Sequence, residues 1–363
     1  MLGPQSDGQA GVVGPNMKSS AAPHPIGPPQ WLFIDINQRC NMRCQHCMYW
    51  KNKPLTSSQH LSIARRNEII TEFAGLNPRG NVVICGGESM LDPDRYFAVT
   101  NHCRSSGLRC YSVINGTRVN SSEVAGRIVE EGPDEITVSL NSHLPEVHDE
   151  TRGVPGSHAQ AVRALRLLLQ ARGRHGRAPR IFAMAVICER NYRDLDAFYD
   201  FVLNDIGADK LKLNFLQPTF GPPTAWYRDR FFAENVIRDE EQLARVILAC
   251  DEKYSLRINP VWLDQVKMYH RSIRKNGWVR LGWRRGRGTE MHICNSHDRN
   301  IMVDLRGRAR LCFYPGFPFL QLSRPGDLRR LWQGSDALRD RMKRCNRYCA
   351  ISHSVRAVSA TLR

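Results

Sequence analysis

From Trp31 onward the chain alternates short apolar runs with stretches whose apolar residues recur at helical spacing. Six runs read as strands: WLFIDIN (31–37), NVVICGG (81–87), CYSVING (110–116), EITVSLN (135–141), RIFAMAVIC (180–188) and KLKLNFL (210–216). Five helical stretches fall between them, near residues 58–76, 93–106, 121–131, 157–172 and 193–206. Asp92 and Ser121 stand where N-caps belong, and Gly107, Gly132, Gly173 and Gly207 are placed to end helices. Strands separated by single helices predict an α/β fold, a parallel sheet with right-handed crossovers. Near-continuous apolar strands suit a sheet covered on one face and curled towards a barrel. In such folds the chemistry gathers at the C-terminal strand ends. There the sequence places Cys40, Cys44 and Cys47, then Gly86, Gly87 and Glu88, then Asn115, then Ser139 and Asn141, then Cys188.

Other patterns flank this repeat. Residues 1–29 are rich in Gly, Pro and Ser and read as a disordered tail. Residues 30–218 hold the strand–helix repeat. Residues 219–293 turn aromatic and basic, with Trp226, Tyr227, Trp262, Trp278 and Trp283, and read as a helical connector. Four arginines between Arg280 and Arg287 form its basic end, which in the simplest reading is a solvated face. Residues 294–363 concentrate four cysteines and form the last segment.

The 363 residues, 42% hydrophobic, suffice for one large or two smaller domains. No uncharged apolar run approaches the ~18 residues of a membrane span, and the first 30 residues lack a signal-peptide core, so the expectation is a cytoplasmic protein. The net charge of +17 admits anionic partners without choosing among them. Twelve cysteines in a reducing compartment read as thiols, and clustered ones as metal ligands.

Cys40, Cys44 and Cys47 place three thiolates in eight residues directly after a strand. Thiolates select zinc or iron–sulfur clusters. A structural zinc site wants a fourth ligand, and the only nearby one is His46, inside the loop. Three ligands on a four-iron cluster leave one iron open for chemistry.

This CxxxCxxC loop resembles that of the radical S-adenosylmethionine (SAM) superfamily, which carries it after the first strand of a partial (β/α)6 barrel. The resemblance implies a catalytic 4Fe-4S cluster on the three cysteines, with SAM chelated at the open iron. SAM would be cleaved reductively to a 5′-deoxyadenosyl radical, with electrons from a flavodoxin- or ferredoxin-type donor. It also implies that His46 lies on the adenine. Cys85-Gly86-Gly87-Glu88 is similar to the family's GGEP segment, where backbone and carboxylate receive the SAM ammonium, with Ser89 in place of proline. Asn115-Gly116-Thr117 resembles the polar turn after the third strand. Ser139-Leu140-Asn141, His148-Asp149 and Arg152-Gly153 resemble a stretch of SPASM-type members, which implies that Ser139 and Asn141 face the ribose and Arg152 the SAM carboxylate.

Cys294, twelve residues, Gly307, four residues and Cys312 resemble the opening of SPASM and twitch domains. The sequence NIMVDLRGRARLC reads as a hairpin with its turn at Gly307. Cys345 and Cys349 would complete four ligands for an auxiliary 4Fe-4S cluster, in a small C-terminal α+β domain of the twitch type. A four-cysteine zinc site would use the same thiolates.

The first functional expectation is oxidation of a polar small molecule of sugar or aminocyclitol type, an auxiliary cluster being suited to accept one electron. An epimerase would need a hydrogen donor, for which Cys188 and Cys250 are candidates, although lone cysteines in apolar surroundings are usually core. Cys103 and Cys110 sit on elements that point away. A maturase of ribosomal peptides is the alternative. Nucleic-acid binding ranks third because the basic residues are scattered rather than striped.

Overall fold

The computed structural model describes residues 26–47, 49–51, 55–56, 59–217, 229–276, 296–313 and 317–343. The tail before residue 26, the arginine run 280–287, Trp226, Tyr227, Trp278, Trp283, Cys294, Cys345 and Cys349 lie outside the described residues.

Six strands follow one another: β1 Trp31–Asn37, β2 Asn81–Gly86, β3 Arg109–Ile114, β4 Glu135–Ser139, β5 Arg180–Ile187 and β6 Lys210–Phe215. Each pairs in parallel with the next, so their order in the sheet is their order in the chain. This is the α/β architecture of a partial barrel. The crossover helices are α1 Ile63–Leu76, α2 Pro93–Ser105, α3 Ser122–Glu131, the pair α4 Pro145–Arg152 and α5 Ser157–Arg174, and α6 Leu195–Asp200. Ser62, Asp92 and Ser121 cap their helices by accepting from Arg65, Arg95 and Val124 N–H groups.

Alternate strand residues face opposite sides. Leu32, Ile34, Ile36, Val82 and Ile84 are fully buried in one core with Ile69, Ile70 and Phe73 of α1. Each such side chain is worth about 1.5–3 kcal/mol of burial, which holds the helices on this face. The opposite, inner face carries a separate small cluster of Phe33, Val83 and Met302, bordered by Trp31, Cys85, Tyr111 and Phe313.

Three local expectations need correction. Helix α1 starts at Ile63 rather than near residue 58, because Leu61 instead donates its N–H to Leu305 O at 2.8 Å. Gly173 does not end α5. The helix runs through it to Arg174, whose neighbour Arg172 is tied to Asp209 at 2.5 Å. The stretch after α5 is also not one regular helix, since α6 passes into a wider π turn at Phe201–Asp205 before Gly207, φ 82°.

Beyond β6 come α7 Arg230–Asn235, α8 Glu240–Tyr254 and α9 Pro260–Asn276. Then β7 Asn300–Val303, β8 Arg308–Arg310 and β9 Leu320–Gln321 precede α10 Asp327–Gln333 and α11 Asp336–Lys343. β7 and β8 form a hairpin whose turn holds Gly307 at φ 78°. Rather than starting a sheet of its own, β7 pairs in parallel with β1 and covers that strand's open edge, which makes one sheet of nine strands among the described residues.

Candidate active site

The loop after β1 is clamped by three neighbours. On the β2 side, Gly87 N–H donates to Asn37 O at 2.6 Å and Glu88 N–H to Arg39 O at 2.8 Å, while Asn37 Nδ2 donates to Glu88 O at 2.9 Å. The fit requires glycine. Gly86 has φ +125°, and a Cβ on Gly87 would stand 2.3 Å from Arg39 O. On the β3 side, Asn115 Nδ2 donates to Asn41 Oδ1 at 2.8 Å, and Asn41 Nδ2 to Thr117 Oγ1 at 2.9 Å. From α4, Arg152 O and Thr151 O accept from Arg43 and Gln45 N–H, and Gly153, φ +66°, lies against Arg43 O.

Within the clamp, Cys44 is buried and Cys40 and Cys47 are half-buried. Met42 N–H donates to Cys40 Sγ at 3.4 Å. Burial pushes the Cys40 thiol up to about 11 and Cys47 upward as well, opposed by loop N–H groups and Arg152. Cys40 and Cys47 are therefore held as neutral thiols until a metal displaces their protons. Among the described residues no three His, Cys, Asp or Glu side chains converge as they would on one ion. Three free thiols on one clamped loop are the donor type a cubane takes, one iron to each thiolate.

Glu88 is buried, and burial raises its carboxyl to about 7 although Asn115 and Met90 N–H groups bond it at 2.6 and 3.1 Å. Arg152 and Arg118 act on it only from a distance. A buried carboxyl short of a cation fits the ammonium of SAM. The Arg152 charge is felt at Cys40, Cys47, His46 and Glu88, which puts it in the middle of the group. Burial lowers His46 to about 4, so its ring is neutral, and it lies 6.4 Å from Phe231.

Asn115 and Asn141 are committed elsewhere. The Asn115 side chain bonds Asn41 and Thr117, which braces the loop. Asn141 Nδ2 donates to Thr151 Oγ1 at 2.9 Å and its Oδ1 accepts from Val186 N–H at 3.1 Å, so both amide ends tie α4 to the strands. Ser139, at the end of β4, shares the inner-face parity of Thr137 and Glu135.

The two candidate donor cysteines are placed in the core. Cys188 is buried in the β5–α6 turn, its N–H given to Asn191 Oδ1 at 2.8 Å, and burial raises its thiol. Cys250 lies in the core where α8 packs on α6, close to Tyr199. Neither joins the loop. Cys103 and Cys110 are buried beside each other, away from it. Cys312 follows β8 by two residues, whereas Cys294, Cys345 and Cys349 lie outside the described residues.

The structure adds a cluster that the motifs did not indicate. Tyr49, two residues past Cys47, donates its hydroxyl to Asp35 Oδ1 and Oδ2 at 3.3 and 3.2 Å. Asp35 pairs in register with Cys85 on the inner face. Burial, then the charge of Asp304 from the β7–β8 turn, raises Asp35 to about 7, while Tyr49, Arg310 and Arg66 lower it. The available signal was parity, with a charged residue between apolar ones on β1 facing away from the helices.

The sequence profile of the Radical SAM superfamily matches residues 34–202. The chain carries a radical SAM domain. The match runs from within β1 through the clamp and β2 to β5, and domains of this family hold a 4Fe-4S cluster and bind SAM. Residues of the chain are 30% identical over 138 residues to the AdoMet-dependent heme synthase of Oleidesulfovibrio alaskensis, covering 38% of this chain and 34% of that protein. They are 29% identical over 203 residues to mycofactocin maturase MftC of Mycobacterium ulcerans, covering 56% and 52%. The chain thus spans about a third to a half of the length of these curated relatives. The solved structure of native anSMEcpe with bound AdoMet and Kp18Cys peptide superposes with TM-score 0.54 at 14% identity, over 79% of this chain and 75% of that one, which is a likeness of fold. No helix among the described residues is long and apolar enough to cross a membrane.

Proposed function

We propose that the protein oxidises a polar small molecule, of sugar or aminocyclitol type, by radical hydrogen abstraction. Cys40, Cys44 and Cys47 would hold the catalytic cluster, whose electron splits SAM into methionine and the abstracting 5′-deoxyadenosyl radical. Cys294, Cys312, Cys345 and Cys349 would hold an auxiliary 4Fe-4S cluster, whose chemistry is one-electron acceptance. Glu88 receives the SAM ammonium and Arg152 its carboxylate, with Ser139 at the ribose and neutral His46 on the adenine. The chain's own part in the oxidation is to take a proton.

The observation that carries this reading is the Asp35–Tyr49 pair. Once a carbinol carbon has lost a hydrogen atom, completing the carbonyl requires loss of one electron and of the hydroxyl proton. Asp35 Oδ, raised to about 7 and on the inner-face row of β1, is suited to accept that proton. Ser139, Lys212 and Asn214 on the inner-face rows of β4 and β6 would bind polar substituents.

Two other readings have specific support. For an epimerase, Cys85 rather than Cys188 or Cys250 is the thiol on the inner face, beside Asp35. For a peptide maturase, the support is the likeness to mycofactocin maturase MftC. Turnover of sugars and aminocyclitols in deuterated water separates the three. Oxidation returns one ketone or aldehyde per 5′-deoxyadenosine. An isomer carrying one solvent deuterium, lost in Cys85→Ala, would replace oxidation with epimerisation, and turnover on a peptide alone would sink both.

A further inference from the structure

At the C-terminal end of β1, two guanidiniums from different helices meet on successive carbonyls. Arg66 of α1 donates Nε–H to Asp35 O at 3.2 Å, and Arg95 of α2 donates Nη1–H to Ile36 O at 2.9 Å. Arg66 is wholly buried and also gives Nη1–H to Leu61 O. Its Nη2, the Nε of Arg95 and the Nε2 of His60 are shielded from solvent and have no hydrogen-bond partner. Burial first, then the charges of Arg95 and Arg66 and more weakly that of Arg39, lower the pKa of His60, which puts its ring close to the guanidiniums.

Buried donors without acceptors are rare and destabilising, and neighbouring like charges add to the strain. The carboxylates nearby are committed. Asp92 accepts from Arg95 N–H at 3.3 Å and pairs with Arg95 Nη1 at 3.1 Å. The Asp35 side chain is bonded by Tyr49. From Ile36 to Asn67 the sequence has no Asp or Glu, so the first turn of α1 offers no acid either. The missing partner is therefore an acceptor with negative charge, able to serve several N–H groups at once, as an oxyanion does. Its size is limited as well. Arg66 lies wholly inside, beyond the reach of a large ligand, whereas Arg95 and His60 are half-buried and Arg39 is exposed, which leaves a way in for a small one.

We propose that Arg66, Arg95 and His60 form a binding site for a small free oxyanion of the phosphate class, where β1, α1 and α2 meet. Its oxygens accept from Arg66 Nη2, Arg95 Nε and His60 Nε2, and its charge offsets that of the guanidiniums. None of these groups is among those assigned above to SAM or to a cluster, so the site stands apart from the reaction. Arg66 and Arg95 hold the carbonyls of Asp35 and Ile36, directly before Asn37, whose carbonyl takes Gly87 N–H. A bound anion thus braces the base of the cysteine loop.

The test is calorimetric titration of the anaerobically reconstituted full chain with inorganic phosphate, up to about 20 mM, at an ionic strength held constant with chloride. Wild type should bind one phosphate per chain. Arg95→Gln should weaken that binding at least about tenfold, as loss of a charged donor does, and His60→Leu about two- to fivefold. Arg152→Gln, which alters the group assigned to the SAM carboxylate, should leave it unchanged. Phosphate should also raise the melting temperature of wild type more than that of Arg95→Gln, since its general salting effect is common to both. Absence of binding by wild type would overturn the proposal, as would equal affinity in wild type and Arg95→Gln. Binding lost in Arg152→Gln but kept in Arg95→Gln would move the phosphate to the SAM site and overturn it too. If Arg95→Gln does not fold, His60→Leu is read in its place, and unchanged affinity there would overturn the idea.

Discussion

Replacing Gly87 with alanine should unseat the cysteine loop. The new Cβ would stand 2.3 Å from Arg39 O and 2.5 Å from Gln38 O, against a floor of 3.0 Å for real Cβ contacts. The loop backbone must therefore retreat by at least about 0.7 Å, and both atoms it meets are main chain, which cannot rotate aside. Overpacking of this kind costs about 1–3 kcal/mol, and the weakened Glu88 N–H bond to Arg39 O adds about 1 kcal/mol. At roughly 2 °C per kcal/mol for a unit of this size, the apoprotein should melt about 4–8 °C lower. The displaced segment leads directly into Cys40, so iron retained after reconstitution should fall below the wild-type value. Gly75→Ala is the matched control. It lies in α1 with open space around its Cβ, so alanine should be neutral or up to about 1 kcal/mol stabilising, with full iron. The assays are scanning calorimetry of the apoprotein and iron analysis after anaerobic reconstitution. Wild-type melting and full iron in Gly87→Ala would refute the argument that β2 clamps the loop.

Burial holds the Glu88 carboxyl near 7, and only its ionised form pairs with an ammonium, so SAM affinity measured by equilibrium dialysis should fall as pH drops below about 7, by up to tenfold per unit. Glu88→Gln should bind SAM weakly at every pH. Asp35→Asn should keep SAM cleavage but lose most product, and should remove the rate limb near pH 7, below which protonated Asp35 can take no further proton. Tyr49→Phe, probed the same way, should shift that limb, because the phenol bonds both carboxylate oxygens. Cys250→Ala should cost about 1–2 kcal/mol in thermal unfolding while product formation persists, as suits a thiol packed between α8 and α6.

The six strands were legible because each is an apolar run whose helix-facing half is wholly buried, as Leu32, Ile34 and Ile36 show. The cysteine loop was legible because three thiolates so close together have few uses. Helix α4 was missed because PEVHDETR offers only one strongly apolar residue, and its role is to present Thr151, Arg152 and Gly153 to the loop. Gly173 misled because a helical glycine costs only about 1 kcal/mol, less than the packing of α5 returns. The Asp35–Tyr49 pair and the β1–β7 edge join residues that sequence distance separates, Trp31 from Asn300 most of all. Local pattern carries no record of such pairings.

The claim on which the account stands is that Cys40, Cys44 and Cys47 hold the cluster that splits SAM. The direct measurement is 5′-deoxyadenosine formed under dithionite by the reconstituted protein, in wild type and with all three cysteines changed to alanine. The account predicts 5′-deoxyadenosine from the wild type and none from the triple variant, with iron falling from about eight to about four per chain if the auxiliary cluster is intact. A triple variant that still released 5′-deoxyadenosine would contradict it.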